Sequence, residues 1–329
     1  MTTKPPTKPP TMIPTAPPTI KPSTTRPPFT FPPTDPPTSR PLQAIKYHEV
    51  RSIVGEHWTT YTLPYNYANM VIVCTPSYTE GAPRVVRVYQ TAASRMKVKV
   101  ELAGAGGTVP DTFVHCIVVE AGKYDWQTHG IQMEALTMIS NKTASAGDWK
   151  NNRDRIANTR RYYQPVVLGQ VMSANDRWSV FWASNYFTRD NPDEFDIYVG
   201  KHVGTDVDRY RLPEILGVII IDTASGFFET PHGHKYAYSA GDTILRKVQS
   251  METHKPSPIT VYVPRTSFDA HVICSASGIF DDDGGWPVVY TRGDEAQQTS
   301  VQINLVYDED TYKTKDKVHL AENVAYFVT

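Results

Sequence analysis

Three apolar runs decide how this chain is read: Thr112-Phe-Val-His-Cys-Ile-Val-Val-Glu-Ala-Gly122, Glu214-Ile-Leu-Gly-Val-Ile-Ile-Ile-Asp-Thr-Ala-Ser-Gly226 and Glu322-Asn-Val-Ala-Tyr-Phe-Val-Thr329. Each is apolar nearly throughout. A strand of that kind belongs in the centre of a sheet, covered on both faces. Each also closes a longer phrase, and the three phrases follow the same order of short strands and turns.

The first phrase opens with Ile45 to Val54 and continues with Trp58-Thr-Thr-Tyr-Thr-Leu63, Met70-Val-Ile-Val-Cys74, Arg84 to Gln90 and Arg95 to Glu101. Turn residues separate these runs: Leu63-Pro-Tyr-Asn, Glu80-Gly-Ala-Pro and Gly104-Ala-Gly-Gly107. The second phrase runs through Ile131 to Ile139, Tyr162 to Pro165, Val166 to Met172, Trp178 to Ala183 and Glu194 to Val199. The third uses Lys235 to Leu245, Ile259 to Val263, His271 to Cys274, Trp286 to Tyr290 and Ser300 to Val306. Unit starts lie roughly 85 to 105 residues apart, the usual size of an antiparallel sandwich. The fold class is therefore all-β, with three tandem antiparallel β-sandwich units of about six strands at 44–125, 126–230 and 231–329. One helical patch is expected, Asp148 to Thr159, in a polar insertion of the second unit.

Residues 1–43 form a different segment. Fifteen of the 27 prolines fall in the first 42 residues, interleaved with Thr and Ser. Proline fixes φ and removes a donor, so this arm reads as extended polyproline II. At about 3.1 Å per residue it reaches on the order of 130 Å. It reads either as a linker or as a glycosylated stalk. Thr7, Thr11, Thr15, Thr19, Thr24, Thr25, Thr30, Thr34 and Thr38 are O-glycosylation candidates. The repeating Pro-Pro-Thr resembles the hydroxyproline-rich surface glycoproteins of algae and plants. That resemblance implies glycosylated hydroxyproline at Pro5, Pro6, Pro9, Pro10, Pro17, Pro18, Pro27, Pro28, Pro32, Pro33, Pro36 and Pro37. Phe29 and Phe31 interrupt the polar pattern and are candidate anchors for docking the arm in an apolar groove, on this or another molecule.

The composition excludes several functions. A net charge of -1 gives no electrostatic case for nucleic acid. No run of eighteen or more apolar residues exists, so no membrane-spanning helix is expected. The opening Met-Thr-Thr-Lys-Pro lacks the apolar core of a secretory signal. Either the protein is not secreted, or the chain starts after processing or at an incomplete 5′ end. The second is preferred, and with it an extracellular or cell-surface location.

Cys74 and Cys116 both sit in apolar strands of the first unit and are either a buried disulfide or two buried thiols. Cys274 takes in the third unit the place of Cys74 and reads as a core thiol. Asn141-Lys-Thr143 is an N-glycosylation sequon at the end of an apolar strand. Asp281-Asp-Asp-Gly-Gly285 offers oxygens for calcium but lacks the spaced ligand ladder, so it reads as a solvated turn. Asp190-Asn-Pro-Asp-Glu194 and Asp206-Val-Asp208 read the same way. His232-Gly-His234 supplies two imidazoles without a third ligand. Gly104 to Gly107 is followed by neither helix signal nor Lys and is no phosphate loop. No catalytic triad or metalloprotease motif is present, and neither enzyme activity nor a cofactor other than covalent glycans is expected.

The phrases Val166-Val-Leu-Gly-Gln-Val-Met172 with Trp178-Ser-Val-Phe-Trp182, and Met70 to Cys74 with Arg84 to Val88, resemble repeated extracellular β-sandwich modules, among them the six-stranded H-type lectin sandwich. Together with the arm, the layout resembles glycan-coated extracellular fibrils of freshwater microorganisms, in which a Pro/Thr-rich segment and β-sandwiches stack into a filament. This resemblance implies a structural subunit that polymerises with copies of itself through sandwich contacts and arm docking. A carbohydrate-binding adhesin is the alternative; a secreted enzyme fits the repeats less well.

Overall fold

A computed structural model describes residues 42–79, 83–103, 107–145, 151–157, 162–186, 196–204, 210–243, 258–260, 270–278, 288–291, 302–308 and 323–329. The arm's candidate glycosylation sites and Phe29 and Phe31 lie outside these residues. So do Asp190 to Glu194, Asp206 to Asp208, Asp281 to Gly285, Trp286 and Gly104 to Gly106.

The first phrase becomes β1 (Tyr47–Val54), β2 (Thr59–Thr62), β3 (Met70–Ser77), β4 (Arg84–Ala92), β5 (Arg95–Leu102) and β6 (Thr112–Glu120). The second gives β7 (Gly122–Tyr124), the single-turn α1 (Trp126–His129), β8 (Met133–Ser140), β9 (Asp154–Ile156), β10 (Pro165–Val171), β11 (Val180–Tyr186), β12 (Asp196–His202) and β13 (Glu214–Asp222). The third gives β14 (Ala224–Glu229), β15 (Lys235–Asp242), β16 (Pro258–Thr260), β17 (Val272–Ala276), β18 (Val288–Thr291), β19 (Gln302–Asp308) and β20 (Val324–Val328). The described residues are mostly β-strand, in antiparallel sheets, with almost no helix.

The strand pairing recurs. Each closing run lies between two antiparallel partners: β6 between β1 and β3, β13 between β8 and β10, β20 between β15 and β17. Nine further strands form the ladders β2-β5-β4, β9-β12-β11 and β16-β19-β18, and β7 and β14 add to β8 and β15. Central position explains the apolar character of the closing runs, because successive side chains on a strand point to opposite faces. In β13, Val218 and Ile220 enter a core shared with Phe181, Ala183, Ile197 and Val199, whereas Ile219 and Ile221 enter a second core that also holds Val73, Ile273 and Phe327.

Three features differ from the expected layout. First, sheets run across the expected unit limits. A parallel bridge at Trp182↔Ala276 joins β11 to β17, and one at Thr291↔Ser77 joins β18 to β3. The limits near 125 and 230 also fall beside ladders, since β7 pairs with β8 and β14 with β15. Residues 42–329 accordingly cluster as one compact unit. Second, the core of the expected helical patch, Asp154–Ile156, is strand β9 on the open edge of β12, with Ile156 buried. A ladder partner and burial outweigh the local polar pattern there. Third, the second closing run ends at Asp222, not Gly226. The Asp222 carboxylate accepts from the N–H groups of Tyr163 (3.0 Å) and Gln164 (2.8 Å), and the chain turns into β14.

Candidate functional site

The three middle strands, β3, β10 and β17, all contact one another. They meet through a repeated pattern. Register pairs Val73 with Ile117, Leu168 with Ile219 and Ile273 with Phe327 of the closing strands. All six are buried in a single core. One step along each strand that faces this core come Thr75, Gln170 and Ser275, a polar layer beside the apolar one.

Each polar side chain of this layer holds the backbone of the next strand. The Gln170 carbonyl accepts from the Cys74 N–H at 3.2 Å, and its amide donates to the Val86 carbonyl at 2.8 Å. The Thr75 hydroxyl accepts from the Cys274 N–H at 2.9 Å. The Ser275 hydroxyl accepts from the Gly169 N–H at 3.0 Å. Cys74, Gly169 and Cys274 occupy equivalent places, so the three links form a cycle. A middle strand has one ladder edge on its closing strand; at Cys74, Gly169 and Cys274 side chains supply the partners on the other edge, where a buried orphan N–H would be costly. A cavity of about 40 Å³ lies beside this layer, lined by Gln170, Ser275 and Ser179 among others.

Charged groups are buried at two of the seams. Between the first and second copies of the strand phrase (β1–β6 and β7–β13), Arg87 is buried in contact with Glu101 (3.0 Å) and with the buried Glu214 (3.7 Å), and donates to the carbonyls of Ser173 and Asp176. Ser173 donates to Glu214. Trp178, Val85 and Val203 pack together at the same seam, with Arg211 over the indole at 5.3 Å. Between the first and third copies, the row Arg51, His115 and Thr75 crosses β1, β6 and β3. Arg51 donates to His271 at 3.2 Å, and the rings of His115 and His271 stand edge to face at 4.9 Å. Glu49 accepts from Tyr47 and Thr329. Burial, then the neighbouring His271 and Arg51, holds the His115 imidazole well below its ordinary pKa, so it is neutral.

The residues singled out from sequence fall as follows. Cys74 and Cys116 form a disulfide across the β3–β6 ladder. Cys274 is a buried free thiol, pushed up to about 12 by burial despite a hydrogen bond with Thr75. Asn141 is exposed immediately after β8. His232 and His234 are exposed in the hairpin turn between β14 and β15, where Gly233 has φ 77° and donates to the Thr230 carbonyl. No group of three or more His, Cys, Asp or Glu is arranged to hold a metal ion among the described residues. Sequence reading missed the cycle of Thr75, Gln170 and Ser275. The available signal was a polar residue one place after Cys74, Gly169 and Cys274 in three otherwise apolar strands.

Several large apolar side chains are exposed or partly exposed. Ile139 and Ile215 face each other across the β8–β13 ladder, 68% and 40% exposed. Trp126 and Phe227 are exposed near Gly226 and Gly130. Trp58 and Tyr89 stand edge to face at 4.8 Å over the β2-β5-β4 ladder.

Comparison with protein-family models, with curated proteins and with solved structures finds no match. No helix among the described residues is long and apolar enough to cross a membrane.

Proposed function

We propose that this chain is a structural subunit of an extracellular glycosylated filament or surface coat. Three six-stranded sandwich units, interlocked into one body, polymerise through sandwich contacts and through docking of the N-terminal arm, with Phe29 and Phe31 as anchors, on neighbouring protomers. Glycans on the arm and at Asn141 coat the assembly, and the chain carries out no catalysis. The observation that supports this reading is the cycle of Thr75, Gln170 and Ser275. Buried polar groups at the seams hold one copy to the next, which suits a body that bears load. The exposed Ile139–Ile215 pair and the open sheet edges are contact surfaces for another copy. A head-to-tail contact that does not close generates a fibre.

The test is removal of residues 1–43 followed by electron microscopy. Filaments are expected from the full chain and lost or weakened from the truncated one. The same filament from the truncated chain removes the arm from the assembly mechanism.

The second reading is a carbohydrate-binding adhesin, with the arm as its stalk. The partly exposed Trp58 and Tyr89 favour it, because such rings suit sugar stacking. Saturable binding of the protein on a glycan array is the expected result, and silence across the array rules it out.

A further inference from the structure

The ladder β2-β5-β4 has one face in the core, where Met96, Val98 and Val100 of β5 are buried. The opposite face is set by the alternation: Arg95, Lys97, Lys99 and Glu101 all point outward. Register puts Thr62 beside Arg95, and Thr60 and Tyr89 on either side of Lys97. Directly paired residues share a face, so Thr60, Thr62 and Tyr89 belong to the same surface. Trp58, immediately before β2, leans over Lys99, whose ammonium lies 4.9 Å from the indole centroid.

This face has a closed end and an open end. At the closed end Arg87 and Val85 are covered by the second copy. There Glu101 pairs with Lys99 and Arg87. At the open end Arg95, Thr60 and Thr62 are exposed and Lys97 is half-buried. A chain of net charge -1 thus gathers three cations on one strand, flanked by two aromatic rings and two hydroxyls.

We infer that the outer face of β2-β5-β4 is a binding site for an acidic polysaccharide. Carboxylate or sulfate groups pair with Arg95 and Lys97, Thr60 and Thr62 bond to ring hydroxyls, and Trp58 and Tyr89 give the sugar a partly apolar wall. The occupant is argued from charge complementarity and from the mixture of groups. A nucleic acid wants a wider basic field than one strand of a near-neutral chain offers. A bilayer wants protruding apolar side chains, and the outward residues of β5 are charged. Binding of this kind rests on the carbohydrate-binding reading above and adds the charge class and the face.

The experiment measures binding of the full chain to a polyuronate, dextran sulfate, neutral dextran and an oligothymidylate, with filament formation followed by microscopy on the same samples. Binding to the polyuronate or to dextran sulfate is expected, weakening with salt, and the tighter of the two identifies the anion. The double substitution Arg95→Gln with Lys97→Gln should weaken it about tenfold with filaments unchanged. Trp58→Ala should weaken it at high salt as well. Circular dichroism checks that each variant is folded; Arg95 is exposed and Lys97 is on the outward face, so neither removes a core contact. The inference is overturned by no binding to either acidic polymer, by equal binding in the double variant, or by tighter binding to the oligothymidylate. Neutral dextran binding without acidic polymer binding overturns this inference alone and leaves the adhesin reading standing.

Discussion

Gln170 shows how much one side chain does at the junction of the copies. In two of the three places where copies meet, a parallel bridge joins the strands, at Trp182↔Ala276 and Thr291↔Ser77. At the third place the Gln170 side chain of β10 makes the join, accepting from the Cys74 N–H of β3 and donating to the Val86 carbonyl of β4. Gln170→Ala leaves both backbone groups buried without their partner, at about 1–3 kcal/mol for each such group. A loss of about 2–6 kcal/mol in urea unfolding is therefore expected. An effect below about 0.5 kcal/mol, the range of ordinary surface changes, contradicts this role. His115 sets a pH dependence. Its folded pKa lies below the ordinary histidine value, because burial and the facing Arg51 and His271 disfavour the cation; Glu49 is the acidic group of the same cluster. The unfolded state then takes up the proton first. Stability from neutral His115 is complete above the unfolded pKa of about 6.5 and falls as pH drops below it. The urea midpoint should decrease from pH 8 to pH 5, and His115→Phe should flatten that slope. His48, also lowered by burial, contributes in the same direction.

At the scale of elements, β10 is fitted to β11 through a glycine. Gly169 stands where the first and third copies carry Cys74 and Cys274, so sequence comparison within the chain permits a small side chain. The structure does not: a Cβ there would lie 2.2 Å from the Phe181 ring. Gly169→Ala should cost about 1–3 kcal/mol through displacement of Phe181, seen as a lower melting temperature. A second substitution, Phe181→Leu, should recover part of the loss in the double variant. The seam between β4–β5 and β13 depends on Arg87. Removing one partner of a buried ion pair costs about 3–5 kcal/mol, so Arg87→Met, which strands the buried Glu214, should be far more damaging than Arg95→Gln on the same sheet. Urea unfolding of the two variants side by side measures the difference.

For the molecule as a whole, one core draws residues from all three copies, among them Val71, Ile219 and Phe327. No copy can lose its structure without uncovering its neighbours. Calorimetry should therefore show a single cooperative transition for residues 42–329, with calorimetric and van't Hoff enthalpies in agreement. Three separate transitions would contradict a shared core. The mostly-β character and most of the strand positions were legible in the residues. The apolar closing runs marked the central strands, because only a strand covered on both faces tolerates apolar residues at successive positions. Alternation placed most of the other strands. Short strands such as β7, β9 and β14 were not legible, since three to six residues carry too little pattern and their partners lie elsewhere in the chain. The sequence by itself determined an all-β chain, since burial pattern is local. Only the tertiary structure decided that the copies interlock, because a polar residue in an apolar strand reveals its partner only when another strand's unpaired N–H lies against it.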